Sequence, residues 1–166
     1  MNVQNAKCLV AYFSHSGNTR VIAHEIQAHV GGDIFEIVPL DPYPRDYDAV
    51  VAKARRELDA DARPSLKTHV ENMALYNVVF VGYPDWWSTV PRPVATFLEE
   101  YDLSGKTIIP FCTHEGSGLG RSVTDIEELC LQSIVLDGLA IRGGDVKNAH
   151  NEITAWLREI GLERKR

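Results

Sequence analysis

The sequence predicts a three-layer α/β domain, a five-stranded parallel sheet with helices on both faces. Apolar runs of strand length alternate with stretches whose apolar residues recur at helical spacing. The apolar runs are continuous rather than alternating, as expected for strands buried on both faces. No internal repeat or low-complexity tract breaks the pattern, and 166 residues suit a single domain, 1–166.

The first strand is "KCLVAYF" (7–13). A helix follows from about Thr19, with Ile22, Ile26 and Val30 on one face, and Gly31-Gly32 stops it. "DIFEIV" (33–38) is the second strand. After the proline-rich "PLDPYPRDY", helical spacing returns with Tyr47, Val50, Val51, Ala54 and Leu58. The polar stretch 59–74 has no period and is expected to be mostly loop.

"NVVFVGY" (77–83) is the third strand. Helix three begins near Pro91 or Pro93, because proline is tolerated in a first turn, and carries Val94, Phe97, Leu98 and Tyr101 on one face. "KTIIPFCT" (106–113) is the fourth strand, in which Pro110 removes one ladder donor and implies a local irregularity. Val123, Ile126, Leu129 and Cys130 mark helix four, and "SIVLDGLAI" (133–141) holds strand five. Ile153, Trp156, Leu157 and Ile160 mark the last helix.

The apolar fraction of 45% and charged fraction of 24% are those of an ordinary globular chain. The net charge of −6 disfavours nonspecific nucleic-acid binding. No segment approaches the ~20 apolar residues of a membrane span. "MNVQNAKCLVAYF" lacks the basic region, apolar core and cleavage site of a signal peptide, so a cytoplasmic location is expected. Cys8, Cys112 and Cys130 have neither zinc-pair nor C-x-x-C spacing and are expected to be buried thiols.

In parallel α/β sheets, ligands bind beyond the C-terminal ends of the strands, where the strand order reverses. Three segments at such ends have unusual composition. The first runs Ser14, His15, Ser16, Gly17, Asn18, Thr19 into a helix, offering amides, hydroxyls and a carboxamide to an anion such as phosphate. An ordinary capped helix needs only one or two such residues. The nearby cations are His15 and Arg20. No G-x-x-x-x-G-K-[ST] occurs, which argues against an ATP-type loop.

The second segment carries Pro84, Asp85, Trp86 and Trp87, of which one tryptophan is expected to stack on a planar ring and the other to pack. The third contains Thr113, His114, Glu115, Gly116, Ser117 and Gly118, which can bring backbone donors and acceptors close to a planar heterocycle. Its "GSGLGR" has the wrong spacing and strand for a dinucleotide fingerprint.

Other chemistries lack their residues. His114-Glu115 has no second histidine at H-E-x-x-H spacing, and His24 and His29 are five apart, wrong for a shared helical face, so no metal site is expected. Neither Ser16 nor Ser117 has both glycines of a hydrolase elbow. Cys112 and Arg121 are too far apart for a tyrosine-phosphatase loop. Asp85 and Glu115 are expected to be solvated loop charges rather than a catalytic carboxylate pair.

Together the three segments resemble the flavodoxin family, over most of the chain. "FSHSGNT" looks like its phosphate loop, and "GYPDWW" and "FCTHEGSGLG" look like its two flavin-flanking loops. The resemblance implies a sheet ordered 2-1-3-4-5 and bound FMN. Ser14, Ser16, Gly17, Asn18 and Thr19 would cradle the phosphate. Pro84, Asp85, Trp86 and Trp87 would line one side of the isoalloxazine. Thr113, His114, Glu115, Gly116, Ser117 and Gly118 would form the other side and approach its pyrimidine edge.

The sequence departs from electron-carrying flavodoxins in three respects. It has no stacking tyrosine after strand four, no glycine in Pro84–Ser88, and a milder acidity. The function implied is FMN-dependent electron transfer between a reductase and an acceptor. An NAD(P)H-dependent FMN reductase acting on quinones or similar small molecules is the alternative, and a non-catalytic flavin- or phosphate-binding module a third. The expected partners are a redox protein or a small-molecule acceptor such as a quinone, with no nucleic acid and no membrane.

Overall fold

A computed structural model describes residues 7–162 of the chain. Strands β1 (Cys8–Tyr12), β2 (Asp33–Glu36), β3 (Val78–Pro84), β4 (Thr107–His114), β5 (Ile134–Val135) and β6 (Leu139–Arg142) form one sheet. Helices α1 (Asn18–Val30), α2 (Tyr47–Asp59), α3 (Arg92–Glu100), α4 (Ser122–Leu129) and α5 (His150–Glu159) connect or follow them. The order is β2-β1-β3-β4-β5, with β6 also paired to β4, and every pairing is parallel. Among the described residues no helix is long and apolar enough to cross a membrane.

Successive strand side chains point to opposite faces, and each face has its own core. Val10, Tyr12, Phe80, Ile109 and Phe111 pack with Ile22, Ile26 and Val30 of α1 and Ile153, Trp156 and Leu157 of α5. Leu9, Ala11, Val79, Val81 and Ile108 pack with Val94, Phe97 and Leu98 of α3 and Ile126 of α4. The continuous apolar strands of the sequence therefore serve two layers. All three cysteines are buried thiols, as expected.

The main difference lies at the sheet edge. The expected strand 133–141 is two short strands, β5 paired with Thr107 and Ile108, and β6 paired with Phe111 to His114. Ile109 and Pro110 fall in the gap between them. Pro110 has no N–H to donate, so a break opposite it costs the edge no ladder bond. The link crosses tightly, because a Cβ on Gly138 would lie 3.2 Å from the Pro110 carbonyl oxygen. The polar stretch 59–74 is loop, but anchored: Leu40 N–H donates to Ser65 O at 2.8 Å and Lys67 N–H to Val38 O at 2.7 Å.

At the centre of the sheet Gly82 pairs with Phe111. A Cβ on Gly82 would stand 2.2 Å from the Phe111 ring, which is wholly buried. Gly82→Ala is therefore expected to cost about 1–3 kcal/mol of stability through overpacking. Urea denaturation at equilibrium checks this, and an unchanged midpoint would contradict it.

Candidate functional site

The sheet is parallel, so β1, β3 and β4 end at one edge, and the strand order reverses between β1 and β3. The three polar segments read from the sequence are brought together there.

The segment after β1 is best understood by accounting for its amides. An α-helix leaves its first four N–H groups without an intrahelical acceptor. Gly17 caps α1 with φ 101°, a left-handed value suited to glycine, and no side chain caps the helix directly. Val21 N–H reaches Gly17 O at 3.2 Å and begins the ladder. Ser14 Oγ accepts from the Gly17 amide at 3.2 Å and from the Arg20 amide at 3.3 Å. That leaves the Asn18 and Thr19 amides without an acceptor among the described residues. A Cβ at Gly17 would meet no atom within 4 Å, so the space above the loop is open.

The side chains of this segment divide the work. The Thr19 hydroxyl lies 2.8 Å from the Thr113 hydroxyl, both residues buried, and pins the start of α1 to the end of β4 across β3. The Thr19 hydroxyl is thus used inside the protein. Neither nearby cation is aimed at the loop. Arg20 Nε donates to Tyr12 Oη at 3.2 Å and its guanidinium faces Glu36 at 3.5 Å. His15 Nε2 donates to Pro44 O at 3.0 Å. The loop is thus a neutral donor set.

After β3, Trp86 and Thr89 exchange backbone bonds of 3.2 and 3.3 Å, closing a two-residue turn on Trp87 and Ser88. Both turn residues have positive φ, 58° and 65°. Turns of this kind favour Asn and Gly, and an L residue there costs about 1–2 kcal/mol. Cross-links hold the strain: Ser88 O accepts from Arg121 N–H at 2.8 Å, and Trp87 Nε1 donates to Val51 O at 3.1 Å with Arg55 over its ring at 5.1 Å. The tryptophans therefore part company. Trp87 lies on α2, whereas Trp86 packs edge-on with Phe13, Tyr43 and His15, beside the first loop.

After β4, Gly116, Gly118 and Gly120 all take positive φ. Gly120 has no room for a side chain, since a Cβ would sit 2.5 Å from Ser88 O. His114 Nδ1 accepts from Gly116 N–H at 2.9 Å, and Cys112 Sγ donates to Gly118 O at 3.4 Å. Burial pushes the Cys112 thiol up to about 12, so it is a packing group and not a thiolate nucleophile. Pro84 completes β3, and Asp85 N–H donates to Thr113 O at 2.9 Å, joining the second and third loops.

Asp85 and Glu115 go to different neighbours. Asp85 Oδ2 accepts from Ser117 Oγ, while Oδ1 is buried without a hydrogen-bond partner. The solvated charge expected at Asp85 is therefore half-buried, because the turn folds back over it. Glu115 is exposed, and its Oε1 lies with Asn18 Nδ2 over Gly143, at 2.3 and 2.8 Å from where a Cβ would be. Ser16 is exposed at the open end of the first loop.

Four residues at the rim escape the sequence reading. Tyr43 packs on Phe13 and Trp86, and Pro44 holds His15. Arg142 Nη2 reaches Glu115 O at 3.5 Å, and Gly143 makes room for Asn18 and Glu115. The proline-rich loop and the pair Gly143-Gly144 were the available signals, but neither says which strand end it approaches.

These features define a class: a doubly wound α/β protein whose three polar loops meet at the switch point, the first of them a neutral donor set. Residues 7–160 match the family described as Flavodoxin, and the chain belongs to that family. A proposed flavoprotein from Bacteroides eggerthii is 36% identical, over 96% of this chain and 100% of that one, with a TM-score of 0.85. A proposed flavoprotein from Bacteroides uniformis is 28% identical, over 92% and 98%, with a TM-score of 0.83. A Lactobacillus acidophilus flavoprotein in complex with FMN is 20% identical, over 86% and 97%, with a TM-score of 0.71. Comparison with curated proteins finds no significant match.

Burial raises the Asp85 carboxyl above its ordinary value, with the Ser117 hydrogen bond opposing it. The native chain thus holds this proton more tightly than the unfolded chain. Stability is lost as pH rises from the unfolded value, about 3.9, through the raised folded one. Asp85→Asn removes that cost and is expected to raise Tm at neutral pH, with the gain fading as the solution is acidified below the unfolded value. Thermal melts across this range check the sign, and a variant less stable at neutral pH would contradict it.

Proposed function

We propose that this protein holds FMN in the crevice between the ends of β1 and β3 and carries electrons between a reductase and an acceptor. The observation that supports this most is the pair of unfilled amides at Asn18 and Thr19, beside the Asn18 carboxamide and below an open Gly17. Uncharged amides at a helix N-terminus suit a phosphate monoester, the terminal group of FMN. Family membership points the same way, as does the FMN complex of the L. acidophilus protein.

In this reading Ser16, Asn18 and Thr19 bind the phosphate, Gly17 leaves room for it, and Ser14 holds the loop in shape by taking the Gly17 and Arg20 amides. Trp86 forms one wall with Pro84 and Asp85, because it borders the first loop, while Trp87 braces the turn from α2. Thr113, His114, Glu115, Gly116, Ser117 and Gly118 form the opposite wall. Bound FMN would supply the redox chemistry, and the protein would orient it and limit its access to solvent. The carrier needs a redox partner protein or a small acceptor such as a quinone.

The first test is the visible spectrum of the purified protein and the identity of any released chromophore. Asn18→Ala is expected to weaken FMN roughly 10- to 100-fold, the worth of a hydrogen bond to a charged group, and to leave riboflavin affinity unchanged. Equal losses for both ligands would overturn the phosphate assignment. Rapid NAD(P)H oxidation with a quinone as acceptor would overturn the carrier role in favour of a reductase.

A further inference from the structure

On the outer face of α1, away from the loops, Glu25, His29 and His150 converge. We infer that these three side chains bind a divalent first-row transition metal of the zinc type, linking α1 to α5. One ligand atom from each lies within 4.8 Å of the other two. Glu25 Oε1 is 3.4 Å from His29 Nε2 and 2.8 Å from His150 Nδ1, and the two imidazole rings stand 4.9 Å apart at 39°.

The dimensions suit coordination. A tetrahedral site with metal–nitrogen and metal–oxygen bonds of about 2.0–2.2 Å sets neighbouring ligand atoms about 3.3–3.5 Å apart. The two Glu25 contacts, 3.4 and 2.8 Å, bracket the lower end of that spacing, and no pair of the three atoms exceeds 4.8 Å. Two imidazoles and one carboxylate are a zinc-type donor set, usable also by nickel and copper, and too poor in oxygen for calcium. With the proton on their other ring nitrogen, His29 Nε2 and His150 Nδ1 present lone pairs, and glutamate is ionised at neutral pH.

The backbones that carry the ligands are already fixed. Glu25 and His29 are one turn apart on α1, next to the buried Ile26 and Val30, and His150 opens α5 one turn before the buried Ile153. All three core residues belong to one cluster. The site is therefore built on two packed helices rather than on loops, and an ion would need little reorganisation. The side chains are partly exposed, at 37%, 22% and 66%, which leaves an entry path and a fourth position for water.

A ligand that binds only the folded chain raises its stability with concentration. The test is calorimetric titration of zinc chloride into the intact protein, with thermal melts in parallel. The expected result is one ion per chain and a Tm that climbs with zinc. Glu25→Gln, His29→Ala and His150→Ala should each weaken binding at least about tenfold, since losing even a residue behind a ligand costs 10–100-fold. His24→Ala and His69→Ala, exposed histidines outside the cluster, should bind as the parent does. Absence of zinc uptake at millimolar concentration would overturn the site. So would uptake that survives in both His29→Ala and His150→Ala, or an equal rise in Tm with calcium. None of these readouts depends on flavin.

Discussion

The site depends on the requirement that backbone donors at a helix start find acceptors. Four amides begin α1 without a partner inside the helix, and the chain answers two of them with a single hydroxyl, Ser14 Oγ. Had the residue at the cap itself been serine or aspartate, the helix would have closed on its own side chain. Glycine stands there instead, at a left-handed φ, and the Asn18 and Thr19 amides keep no acceptor among the described residues. The other loops are arranged around that helix start.

Their arrangement is rigid because each loop is completed by another. The Thr19–Thr113 contact spans β3, and Asp85 N–H takes the Thr113 carbonyl. The strained turn at Trp87 and Ser88 is sustained from both sides, by Arg121 N–H on the Ser88 carbonyl and by α2 under Trp87. Such strain persists only where the surroundings over-determine it. Gly120 is part of that bargain: the carbonyl that restrains Ser88 occupies the space a side chain at 120 would need.

Much of this is legible in the amino-acid sequence. The continuous apolar runs gave the strands and the two-sided burial, and helical spacing placed all five helices within a few residues. Pro110 foretold an irregularity without saying where it would fall, because a proline reports a missing donor but not which neighbour lacks its partner. The three loops were found by composition. Their internal division of labour was not, since Trp86 and Trp87 are adjacent letters and only the positive φ at 87 and 88 sends them to different neighbours.

What the sequence determined alone is whatever follows from local chemistry: strand, helix, a cluster of small polar residues at a crossover, and the absence of an ATP-type phosphate loop. What tertiary structure decided is every pairing across distant chain positions. It set Asp85 under its own turn with one buried, unpartnered oxygen, turned Arg20 and His15 away from the loop, and carried Glu115 to Gly143. It also placed His150 beside Glu25 and His29. Periodicity is local and registers a face, whereas such meetings depend on how two buried faces pack, which no spacing along one chain records.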